Sequence, residues 1–218
     1  IVLEANNITK AVSGKNIVSQ FSTKLNKGDI CDFFGPNGAG KTTASYTVLP
    51  EILDCREFVN ADNIAAGISP FNPQSVAVSA GRIMLVRIAE LMKSGADFAF
   101  ETTLSTRSYK NLVFDAQKKG YSVTLLYFWL DSPSLAIQRV KKRVENGGHN
   151  IPSDVIERRY HRGLENLFNI YIPICDRWLV FDNMDLIPEI IAQGDRFGEL
   201  VSNSEIWSTL KSKYYNEQ

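Results

Sequence analysis

"FFGPNGAGKTT", Phe33 to Thr43, decides how the rest of the chain is read. Three glycines, Gly35, Gly38 and Gly40, let the backbone curl until successive N–H groups point inward, which is how a loop grips phosphate oxygens. Lys41 adds a point charge for the β- and γ-phosphates, and Thr42 offers a hydroxyl to Mg²⁺. The apolar "DICDFF" in front reads as a buried strand, and a helix is expected to start near Lys41, its positive dipole end facing the loop. The nucleotide-binding segment is therefore Gly35, Pro36, Asn37, Gly38, Ala39, Gly40, Lys41, Thr42 and Thr43, and the expected ligands are ATP and Mg²⁺.

Outward from the loop, strands alternate with helices. "REFVN", "DFAF", "YSVTLLYFWL" and "RWLVFDN" read as strands. "PQSVAVSAGRIMLVRIAELMKSG" reads as a helix with Pro73 in its first turn and Gly95 at its end, and "SYKNLVFDAQKKG" as one ending at Gly120. "SPSLAIQRVKKRVENGG" should be capped by Ser132, with "PSDVIERRYHRGLENLF" a further helix and "EIWSTLKSKYYNEQ" a terminal one. Before the loop, "IVLEANNITKAV" and "NIVSQFSTKL" read as antiparallel strands joined by turns. The predicted fold is a three-layer α/β sandwich around a mostly parallel sheet, with short antiparallel N-terminal strands and a helical lid. One domain over residues 1–218 is expected, since no repeat, low-complexity tract or linker interrupts it.

Composition bounds the partners. The formal net charge is zero, which gives no bias toward nucleic acid or membrane surfaces. No apolar run approaches the ~18 residues a membrane span needs. Cys31, Cys55 and Cys175 are scattered without metal or disulfide spacing, so a reducing cytoplasmic setting is expected. Charge is nevertheless clustered: seven Lys or Arg stand against three acids between Arg139 and Arg162.

Several side chains suit phosphoryl transfer. Asp62 follows a short strand, at the sheet edge where α/β folds collect ligands, and reads either as a general base for an attacking hydroxyl or as a helix cap. Glu101, ending "DFAF", suits orienting a substrate or a magnesium-bound water, or a structural cap; Thr103 adds a hydroxyl beside it. Arg139 and Arg143 are i and i+4 on one helix face, Arg158, Arg159 and Arg162 follow on the next, and "NGGHNIP" between them reads as a mobile connection. Such a pair resembles the lid of a small-molecule kinase, while the alternative is a solvated basic face. Arg107, His149, Arg158 and Arg159 are candidates for substrate, and Asn183, after "LVFD", for the cofactor site.

Two families are echoed. Leu3 to Thr43, with residues 1–34 as the ABC-like N-terminal strands, resemble the start of ABC-type ATPase domains in "LEANNITKAVSGKNIV" and "STKLNKGDICDFFGPNGAGKTT", but no signature motif, glutamine loop, switch histidine or Asp-Glu Walker B follows. Residues 35–218 resemble the zeta toxin family in "VNADNIAAGISP", "AGRIMLVRIAEL", "FAFETTLS", "AIQRVKKRVENGGHNIP" and "VIERRYHRGLENLF". That resemblance implies an ATP- and Mg²⁺-dependent kinase with Asp62 as base and Lys41, Arg139, Arg143 and Glu101 in the catalytic set. It further implies a small-molecule acceptor such as UDP-N-acetylglucosamine and a small antitoxin partner. An ABC-like ATPase module and a non-catalytic nucleotide switch are the competing expectations.

Overall fold

The computed structural model describes residues 3–12, 15–25, 29–42, 45, 55–148, 150–185 and 188–216, with backbone alone up to 25 and at 29, 32 and 33. Thr43 and His149 lie outside the described residues.

Strands β1 (Leu3–Val12) and β2 (Lys15–Leu25) form a two-stranded antiparallel sheet of their own, in register from Leu3 opposite Leu25 to Val12 opposite Lys15. The remaining strands form one seven-stranded sheet. They are β3 (Asp29–Phe34), β4 (Phe58–Asn60), β5 (Phe98–Thr102), β6 (Ser122–Trp129), β7 (Arg177–Asp182), β8 (Glu189–Asp195) and β9 (Gly198–Val201), in the order β4-β5-β3-β6-β7-β8-β9. From β4 to β7 every pairing is parallel. Parallel strands buried on both faces read as continuous apolar runs, and β6 is buried from Val123 to Trp129.

The sheet departs from expectation at one end. β8 and β9 run antiparallel to β7 and to each other, a hairpin that "EIIAQGDRFGELV" does not advertise. Gly194 explains part of this. It lies opposite Trp178, and a Cβ there would stand 2.5 Å from the indole ring, so the strand carries a glycine where a side chain would be expected.

The helices follow their sequence signals. α1 (Ala61–Ile68) succeeds β4 directly, and a 3₁₀ turn at Pro73–Val76 leads into α2 (Ala77–Ser94). α2 buries Ala80, Met84, Ile88 and Leu91, one helical stripe, and Gly95 ends it at φ 69°. α3 (Tyr109–Lys118) precedes β6. α4 (Pro133–Glu145) is capped by the Ser132 hydroxyl, which accepts the Leu135 N–H at 3.3 Å, and Pro133 takes its first position. α5 (Ser153–Asn166) runs into a π-helical turn at Leu167–Tyr171 and a short α6 (Ile172–Ile174). α7 (Ser204–Tyr214) closes the described chain and stacks Trp207 on Trp178 at 5.3 Å.

Phe34, at the end of β3, packs edge-on to Phe100 and beside Tyr171, each at 6.0 Å between rings. All three are essentially inaccessible, so truncating either phenylalanine should cost roughly 3–5 kcal/mol. Phe34 immediately precedes the phosphate loop, so this cluster anchors the strand end from which the loop leaves. Phe128, Trp129, Phe168 and Trp178 are core residues as well.

Candidate active site

Parallel registry brings the chemistry together. Phe33 on β3 lies opposite Glu101 on β5, and Asn60 on β4 opposite the same Glu101. The three strands thus end level, and the loop after β3 curls over their C-terminal edge, where open α/β sheets place their ligands. Gly38, at φ 84°, has no room for a side chain: a Cβ would meet the Ala136 carbonyl at 2.9 Å and the Arg139 Cβ at 3.1 Å. The loop is therefore wedged beneath α4.

A cleft of about 220 Å³ opens over the loop, between Asn37, Gly38, Gly40, Lys41 and Thr42 on one side and Asp62, Glu101, Arg139 and Arg143 on the other. Lys41 is buried, donates to the Pro36 carbonyl at 3.0 Å and stands 3.6 Å from Glu101 Oε1. Burial pushes its pKa below 10.5; the Glu101 and Asp62 carboxylates oppose that shift and Arg143 reinforces it. Glu101 Oε2 accepts from the Thr42 hydroxyl and from Asn60 Nδ2, both at 2.7 Å. A threonine hydroxyl beside a carboxylate at the lip of a phosphate loop is a hard oxygen set, which fits a magnesium ion that keeps its waters and phosphate ligands. Among the described residues no group of three or more His, Cys, Asp or Glu side chains forms a separate metal cluster.

The two readings of Asp62 separate here. The cap of α1 is Asn60, whose Oδ1 accepts the N–H groups of Asp62 and Asn63 at 2.7 and 3.1 Å. Asp62 is an exposed first-turn residue whose carboxylate lines the cleft. It also lines a hollow of about 60 Å³ walled by Ala61, Ala65, Pro73, Gln74, Ala77, Ile151 and Arg159. Glu101, likewise, caps no helix; it ties Lys41, Thr42 and Asn60 together.

The arginines divide. Arg139 and Arg143 both reach the cleft, but the Arg139 guanidinium donates to the carbonyls of Asn183 and Met184 at 2.9 and 2.6 Å. Arg159 is half-buried and donates to Asn37 Oδ1 at 3.4 Å; burial lowers its pKa, with Asp62 opposing and Arg158 reinforcing. Arg107, Arg158 and Arg162 are exposed and line neither cavity. Thr103 bonds the Ser105 hydroxyl at 3.0 Å, and its carbonyl packs where a Cβ on Gly163 would come within 2.8 Å. Asn183 is buried, with its amide donating to the Ala39 carbonyl, so it braces the loop from behind. Asp182 accepts the Met184 N–H at 3.0 Å and holds that turn. Sequence reading missed the double use of Asn60, for which "VNAD" offered only a cap-forming residue type ahead of a helix.

A nucleotide loop whose lysine shares a cleft with a carboxylate from a neighbouring strand end is the arrangement of a P-loop kinase, and fold and site assign the molecule to that class. The chain belongs to the zeta toxin family, whose model matches residues 33–185. An uncharacterized protein of Haemophilus influenzae is 30% identical over 128 residues, 59% of this chain and 89% of that protein. The N-terminal stretch is also similar to ABC ATPases: the lipopolysaccharide export ATP-binding protein LptB of Escherichia coli is 47% identical over 47 residues, 22% of this chain and 20% of its own. Among solved structures, AvrRxo1-ORF1:-ORF2 with ATP superposes with a TM-score of 0.69 at 16% identity, covering 87% of this chain. This chain spans 65% of the length of that one. The PezAT toxin-antitoxin system of Streptococcus pneumoniae superposes at 0.59 and 18% identity, over 88% of this chain and 81% of that one.

Proposed function

We propose that the protein transfers the γ-phosphoryl group of ATP to a hydroxyl of a small molecule, with Asp62 as general base. The observation that supports this most is the position of Asp62, which borders both the phosphate cleft and the smaller hollow beside it. An acceptor hydroxyl entering that hollow meets the carboxylate, with its oxygen turned to the cleft. Asp62 takes the hydroxyl proton as the acceptor oxygen bonds to the γ-phosphorus and the bond to the ADP oxygen breaks. Lys41 and the loop amides hold the phosphates, and Arg143 neutralises charge on the moving group. Arg139 steadies the 183–184 turn from which Asn183 braces the loop. Thr42 and Glu101 would hold Mg²⁺, whose charge would offset that of the phosphates. Exclusion of water falls to α4 and α5, joined by the 146–152 segment.

The acceptor we propose is a UDP-activated amino sugar, UDP-N-acetylglucosamine in the first instance, with Arg159 and Gln74 as polar groups at the hollow. A small antitoxin protein is the proposed partner, in line with the complexes named for the two structural relatives. Incubation with ATP, Mg²⁺ and UDP-N-acetylglucosamine should yield ADP together with a phosphorylated sugar. Asp62→Asn should lower that rate by about 100-fold or more while leaving ATP affinity within about threefold. A near-normal rate in Asp62→Asn would remove the base assignment. ADP release that ignores the sugar and responds to a protein partner would favour the ABC-like module. Binding with neither product would favour the switch.

A further inference from the structure

We infer that Asn60 is a positioning residue for phosphoryl transfer, a role that rests on the reading of Asp62 as base. Its carboxamide works at both ends. Oδ1 accepts the N–H groups of Asp62 and Asn63 at 2.7 and 3.1 Å, fixing the first turn of the helix that carries the base. Nδ2 donates to Glu101 Oε2 at 2.7 Å, the oxygen that also accepts from Thr42. The other Glu101 oxygen stands 3.6 Å from Lys41 Nζ. One side chain, 5% exposed, therefore joins the turn bearing Asp62 to the two loop residues that meet phosphate and metal.

Capping alone does not call for this residue. Serine, threonine or aspartate would cap α1 about as well, because the cap needs only an acceptor. The bridge needs more: an acceptor toward the helix and a donor toward a carboxylate, on one short side chain. Asparagine meets both demands, and aspartate in its charged form cannot donate. When Lys41 and Thr42 turn from Glu101 to a bound nucleotide, Asn60 is the group that keeps Glu101, and hence the strand end, aligned with Asp62.

Asn60→Ser and Asn60→Asp separate the two tasks. Both keep an acceptor for the cap and lose the donor toward Glu101. Steady-state kcat and the KM for ATP are measured by ADP release, with UDP-N-acetylglucosamine and with water as acceptor, for wild type, Asn60→Asp, Asn60→Ser and Asp62→Asn. We expect Asn60→Ser to melt within about 3 °C of wild type and to lose about 30-fold or more in kcat, with the KM for ATP within about threefold. Asn60→Asp, which sets a carboxylate against Glu101, should lose at least as much, and Asn60→Ser decides the matter if Asn60→Asp does not fold.

A purely structural role would lower the melting temperature in step with activity and would raise the KM for ATP along with it. Wild-type kcat in either Asn60 variant, or a loss in Asn60→Ser matched by the fall in melting temperature, overturns the inference while Asp62→Asn still tests the base. Wild-type turnover in Asp62→Asn removes the base and the role of Asn60 with it. Should the sugar add nothing over water, the acceptor is wrong, and the water reaction still decides Asn60.

Discussion

Lys41 holds its charge where water barely reaches, and two trends with pH follow. Its folded pKa lies below 10.5, chiefly through desolvation, so it discharges at a lower pH than a free lysine. Affinity for an anionic nucleotide should therefore fall with rising pH in the alkaline range, and Lys41→Arg should abolish that fall; titration with a fluorescent nucleotide at several pH values checks it. The effect on the unliganded fold has the opposite sign. Both states are protonated below the folded pKa, where the burial penalty is complete, and the penalty fades as pH climbs from there to 10.5. Asp182 offers a second case. Burial raises its pKa above 3.8, with Asp185, Glu189 and Asp131 reinforcing and the Met184 N–H opposing. A raised carboxylate weakens the fold at neutral pH, and that cost vanishes as pH falls from its folded value through 3.8. Asp182→Asn keeps an acceptor for Met184 and should raise the neutral-pH melting temperature by about 1 °C after allowance for solvent screening, with no gain near pH 3.

The packing of α4 on the phosphate loop is a property of the element. Gly38→Ala must strain a backbone at φ 84° and displace the Ala136 carbonyl, so it should cost about 1–3 kcal/mol and weaken nucleotide binding as well. Urea unfolding and nucleotide titration of the same variant test both halves. What was legible in the sequence was of this kind: glycines in a fixed spacing, Ser132 and Pro133 opening a helix, Gly95 closing one, apolar runs long enough for buried strands. These are local signals, and each has a local cause. What was not legible depends on contacts across the chain. Asn60 meets Glu101 at a separation of 41 residues, Arg139 meets Asn183 at 44, and Asn183 meets Ala39 at 144. The i, i+4 spacing of Arg139 and Arg143 put both on one face, but could not tell which would turn to carbonyl oxygens. The β8–β9 hairpin was hidden because a glycine under Trp178 reads, in one dimension, as a break rather than a fit.

At the scale of the molecule, the sheet that carries the site is complete without the N-terminal hairpin. β3 pairs with β5 and β6, and β1 pairs only with β2 among the described ladders. A chain beginning at Asp29 should keep the α/β circular dichroism signature and melt within about 5 °C of the full chain, since no ladder of the larger sheet is lost; collapse to a molten state would show that the hairpin is structural. No helix among the described residues is long and apolar enough to cross a membrane. The seat of Gly38 under Ala136 and Arg139 also ties two turns of chain that the sequence keeps about a hundred residues apart. Loop and helix share one contact surface there, so a side chain added at residue 38 is felt on both.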